Sequence, residues 1–198
     1  MNKIREFWSW FFNNCDKFGK NFSNDELLKE LDKKVLLLGN GELDWEIGPG
    51  KIKENALVIS PNGNHELLPF TKEIIDNAKE RENWEYYYAI PPKNWKLIFY
   101  FETNVKTKIR VDASKWQYIL LKYEDNSFDI IIKVIDLPKL SQDDKLSIDE
   151  ILLIGILGEE LRLEYIEEIK IVNKFKISDL KNASSIQTLS DHFNQLLL

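Results

Sequence analysis

The sequence predicts an α+β fold: a mostly antiparallel sheet of about six to eight strands, with helices packed on one face and a helix at each end. Three observations predict it. Helical spacing of apolar residues near the N-terminus and two capping boxes further on mark helices, apolar residues alternate at period two through the middle of the chain, and turn residues join neighbouring strand-like runs. Strand runs and helices are segregated rather than alternating, which argues against a βαβ arrangement. A chain of 198 residues suits one domain over 1–198, divided into a helical segment at 1–32, a sheet with inserted helices at 34–174 and a terminal helix at 178–197.

Each element has its own warrant. Ile4, Phe7, Trp8, Phe11, Cys15, Phe18 and Phe22 fall on one stripe of a helix. The next helix opens at FSNDEL, where Ser23 caps and Glu26 reaches back to complete the capping box; LSIDEI repeats the device with Ser147 and Glu150. Leu43, Trp45 and Ile47 alternate with acidic residues, and Val105, Thr107, Ile109 and Val111 alternate with Lys106, Lys108, Arg110 and Asp112, so both runs read as strands with one wet face. The runs at 56–60, 95–101, 116–121 and 128–135 are richer in apolar residues and read as central strands. ETN at 102–104 and EDNS at 124–127 are turns of antiparallel hairpins, and SPNG and IPP are turns by their Asn-Gly and Pro-Pro pairs. A helix follows SPNGN, and a short strand near 168–174 precedes the last helix.

Composition narrows function. The chain is 43% hydrophobic and 30% charged, the balance of a folded protein. Its net charge of −6 disfavours nucleic acid as a partner, since binding to phosphates calls for a basic excess or patch. The lone Cys15 excludes an internal disulfide and a multi-cysteine zinc site, which fits a reducing compartment. The aromatic N-terminal run is broken by Ser9 and closed by Asn13 and Asn14, so it is no secretion signal, and no window has the roughly 18 apolar residues of a membrane span. A cytoplasmic location is expected. GNGE at 39–42 and IGPG at 47–50 lack dinucleotide spacing, and neither a cofactor nor a metal is expected.

The polar residues that could carry chemistry are few. His65 follows a dense turn and precedes a helix; it reads as a first-turn residue, with a general base on a surface loop as the functional alternative. His192 reads as a helix surface residue, and Cys15 as a small buried hydrophobe. Glu159 continues the line of Ile148, Leu152 and Gly155 on a helix, while Glu160 points about a quarter turn away; a helix ending near Gly158 leaves both in solvent, whereas burial gives Glu159 a partner or a raised pKa. Lys106, Lys108 and Arg110 form a cationic row that either guards a strand edge or meets acidic groups of a partner. On the first helix Phe12 borders the apolar stripe and Trp10 lies well outside it, so both are candidate contacts with a partner or a second subunit.

WEIGPG, LVISPNGNHELLPF, NWEYYYAIPPKNW, WQYILLKYEDNSFDIII and ILGEELRLEYIEEIKIV together resemble uncharacterised bacterial proteins with a domain of unknown function, over about residues 45–172. The resemblance implies a cytoplasmic bacterial α+β domain and brings no catalytic residues with it. Small acidic immunity proteins and secretion chaperones are similar in character. Two readings follow. One is a non-catalytic module that binds another protein or a second copy of itself; the other is a hydrolase that uses Glu159 or Glu160 with His65 in a cleft.

Overall fold

The computed structural model describes residues 2–18 and 22–197, which form an α+β protein. Residues 19–21 of the N-terminal segment lie outside the described residues. The chain comprises two compact units, Met1–Ile90 and Pro91–Leu198, each with a hydrophobic core.

The first unit contains α1 (Asn2–Asn14), α2 (Asp25–Leu38), β1 (Asp44–Pro49), β2 (Asn55–Ser60), α3 (Leu68–Asp76) and β3 (Trp84–Tyr87). The predicted stripe is real: Ile4, Phe7, Trp8, Phe11, Cys15 and Phe18 are buried, and Phe22 packs against them half-buried. Rings interlock edge to face, with Phe11 at 5.0 Å from Trp84 and Trp8 at 4.9 Å from Tyr86. The Trp8 indole N–H donates to the Ile74 carbonyl at 2.7 Å and ties α1 to α3. Burial, reinforced by the Asp16 carboxylate, pushes the Cys15 thiol pKa up.

In this unit the sheet order is β1-β2-β3. β1 runs antiparallel to β2, with Trp45 opposite Ile59, whereas β3 runs parallel to β2, with Leu57 opposite Tyr86. The turn after β1 is anchored by β3. The Glu85 carboxylate accepts the backbone N–H groups of Lys51, Ile52 and Lys53 and the Tyr87 hydroxyl. Partial burial works to raise its pKa, and these hydrogen bonds outweigh it and hold the carboxyl below its ordinary range.

The second unit contains β4 (Ile98–Glu102), β5 (Lys108–Asp112), β6 (Gln117–Lys122), β7 (Phe128–Lys133), α4 (Gln142–Leu157), α5 (Glu159–Tyr165), β8 (Ile166–Val172), β9 (Ser184–Ser185) and α6 (Leu189–Leu197). β4 and β5 form a two-stranded antiparallel ladder; the other sheet has the order β8-β7-β6-β9. β6 and β7 form the predicted hairpin, and β8 lies parallel to β7. Phe128, Ile130, Ile132, Ile148, Leu152, Leu153 and Phe193 are at the centre of this core.

Several expectations need correction. Among the described residues the strands do not join in one sheet of six to eight but in three small ones. The expected absence of βαβ pairing also fails: β2 and β3 are parallel across α3, and β7 and β8 across α4 and α5. A parallel partner is separated from its neighbour by a whole crossover, so local alternation carries no trace of the pairing. Asn24, not Ser23, is the N-cap of α2, its side chain accepting from the Leu27 N–H. α4 begins six residues before the predicted box: Ser141 is its cap, Ser147 is an exposed residue of the second turn, and Glu150 turns to Arg162 instead. The predicted terminal helix is two 3-10 turns, the short β9 and then α6.

Candidate binding groove

On the second unit, the outward side of α4 faces Arg162 of α5 and the outer residues of β8. Leu146, Ser147, Glu150, Ile151, Ile154, Arg162, Glu167 and Ile169 line an open groove of about 550 Å³. The helical repeat explains the α4 contribution, because these positions follow one another at intervals of one or three residues and share a side. Leu146 and Ile151 are each 41% exposed, large aliphatic side chains left uncovered on a helix that is otherwise apolar toward the core. Arg162 is held at both ends. Its Nε donates to Glu150 Oε2 at 3.0 Å and its guanidinium NH1 to the Ile166 carbonyl at 3.0 Å. The charged fork is thereby fixed in a lining it shares with Leu146, Ile151, Ile154 and Ile169, and the exposed Glu167 adds a negative charge.

Two glycines shape the groove's helices. Gly158 separates α4 from α5 at φ 87 and ψ 156, a backbone region that essentially only glycine occupies. Gly155 lets the Trp95 indole lie against α4: a Cβ there would come within 2.3 Å of Trp95 Cζ2. The space beside Gly155 is filled by Trp95.

Glu159 opens α5 and is 1% exposed, so the expectation that it points into solvent is overturned; Glu160 is half-buried. The residue that the sequence reading missed is Asp149. It is 1% exposed on α4, and neither carboxyl oxygen meets a hydrogen-bond partner among the described residues. Burial first, then the neighbouring Glu150 charge, pushes its pKa up to about 8, so it is largely protonated at neutral pH. One signal pointed to it. The run Ile151–Leu157 is apolar around most of the helix, and an arc that wide engulfs an aspartate two residues before it.

The other named residues lie on different elements. His65 is exposed in the 3-10 turn that leads into α3, behind Asn64, whose side chain accepts from the Glu66 N–H. It belongs to the first unit, Glu159 and Glu160 to the second. His192 on α6 shares a 2.7 Å hydrogen bond between its Nδ1 and the buried Tyr118 hydroxyl, a pairing across 74 positions that no local pattern announces. The cationic row is broken at its start, because Lys106 sits in the β4–β5 turn at φ 62, beside a Val105 that is 81% exposed, and not on the strand. Lys106 meets Glu102 at 3.0 Å, Lys108 lies over the Tyr100 ring, and Arg110 meets Asp112 at 3.4 Å.

Trp10 and Phe12 find surfaces within the first unit. The Trp10 indole donates to Glu30 of α2 at 2.6 Å and lies under Lys34, while Phe12 stacks on Trp8 and is covered by Arg81. Among the described residues no group of three or more His, Cys, Asp or Glu side chains could hold a metal ion, and no helix is long and apolar enough to cross a membrane. No family model, curated protein or solved structure matches the chain.

Proposed function

We propose that the protein is a non-catalytic protein-binding module whose α4–α5–β8 groove receives a partner segment carrying apolar side chains and a basic residue. The exposure of Leu146 and Ile151 within a groove that also holds a fixed ion pair carries this reading. Aliphatic side chains gathered in a concave site gain free energy when covered, at about 25 cal/mol per Å². The groove is open along α4, which suits a polypeptide segment better than an enclosed small molecule. Glu167 and the carboxylate of Glu150 make the lining net acidic and favour a basic residue on the segment.

The test is photocrosslinking in the native host from a reactive side chain placed at Ile151, with Ile52 of the first unit as the control. A partner captured at Ile151 alone is then titrated against wild type, Ile151→Asp and Arg162→Ala. Weakening by tenfold or more, about 1.4 kcal/mol, with the melting temperature of Ile151→Asp kept, supports the groove. Unchanged affinity in both variants excludes it.

A further inference from the structure

The β4–β5 ladder is open on both sides: among the described residues β4 pairs with β5 and with no other strand. Its register identifies the unused main-chain groups. The Ala113 N–H donates to the Leu97 carbonyl and the Thr103 N–H to the Thr107 carbonyl, both at 2.9 Å. Hydrogen-bonded pairs alternate along an antiparallel ladder, so Phe99, Phe101, Ile109 and Val111 direct their main chain inward. Ile98, Tyr100 and Glu102 therefore turn their N–H and C=O groups outward along β4, as Lys108, Arg110 and Asp112 do along β5.

The two edges differ in charge. Lys108 and Arg110 protect β5, since pairing that edge with its own copy about a two-fold axis sets one Arg110 against the other. The β4 edge has no such guard. Ile98 is 37% exposed and Tyr100 66% exposed, and the charge of Glu102 is met within the strand's own turn by Lys106 at 3.0 Å.

We propose that β4 pairs antiparallel with β4 of a second copy, about a two-fold axis through Tyr100. In that register Tyr100 faces Tyr100 of the copy and Ile98 faces Glu102 of the copy, with no like charges opposed. Three hydrogen-bonded pairs supply about six main-chain hydrogen bonds. A cross-strand aromatic pair forms at the centre. A ladder this short falls in the small, transient class of interfaces, below about 1,200 Å². The pairing does not depend on the groove and uses a different surface of the second unit.

Single cysteines in the full chain read the register directly, because Cys15 is buried and wild type serves as the blank. Facing Tyr100 Cα atoms lie about 5.5 Å apart, within disulfide reach of about 4.4–6.8 Å. The two Ile98 positions are separated by four residues of strand, about 13 Å. Under mild oxidation Tyr100→Cys is expected to give at least tenfold more disulfide dimer than Ile98→Cys. Sedimentation of wild type is expected to show a monomer–dimer equilibrium, which Tyr100→Glu weakens at least tenfold by opposing two carboxylates across the axis, while its melting temperature stays that of wild type because within the monomer the new carboxylate faces Arg110. Equal crosslinking at the two positions, crosslinking at neither, a monomer at every concentration, or assemblies that grow past the dimer would each overturn the proposal.

Discussion

Asp149 shows how one residue can set the pH response of a fold. Its carboxyl has an ordinary value of 3.8 when exposed and rises to about 8 when buried in α4. Between those values the unfolded chain loses a proton that the folded chain keeps, so its contribution to stability is complete below about 4 and is lost as pH rises to about 8. The slope of that loss approaches about 1.4 kcal/mol per pH unit. Asp149→Asn removes the titration. Urea unfolding of both proteins across pH 4–9 is therefore expected to show the variant gaining on wild type up to about pH 8 and level above it. A constant difference would mean that the carboxyl is not protonated in the fold.

At the scale of the element, helix starts are decided by geometry that the same letters satisfy only in the right place. Ser141 and Ser147 both precede an acidic residue at the third following position. Only Ser141 caps: its Oγ accepts the Asp144 N–H at 3.1 Å and donates to the Asp144 carboxylate at 2.7 Å. The other Asp144 oxygen accepts the Asn104 N–H at 2.9 Å, which joins the head of α4 to the β4–β5 turn. Ser141→Ala is expected to cost about 1–2 kcal/mol by denaturant unfolding, and Ser147→Ala to stay within about 0.5 kcal/mol of wild type. Equal costs would return the cap to the later serine.

At the scale of the molecule, two separate cores replace the single sheet. The first is built on the rings of α1 with Trp84 and Tyr86, the second on β6, β7, α4 and α6. Each buries enough large side chains to define a domain of ordinary size. The fragments 1–90 and 91–198 are each expected to melt cooperatively when expressed alone, with near-ultraviolet circular dichroism reporting packed aromatics. A fragment that shows helical signal without a cooperative melt would tie its stability to the rest of the chain.

Local chemistry is enough to reveal the α1 stripe, the β6–β7 hairpin and the turn at SPNG, because periodicity and turn residues act over a few neighbours. The groove was half legible: the apolar run of α4 was plain, but Leu146 and Ile151 became a site only once α5 and β8 folded back beside them. Burial of Asp149 and Glu159, the Tyr118–His192 bond and the parallel returns of β3 and β8 belong to the tertiary structure alone. Solvent exclusion and pairing across dozens of residues depend on which surfaces meet, and a residue's own neighbours in sequence hold no record of that meeting.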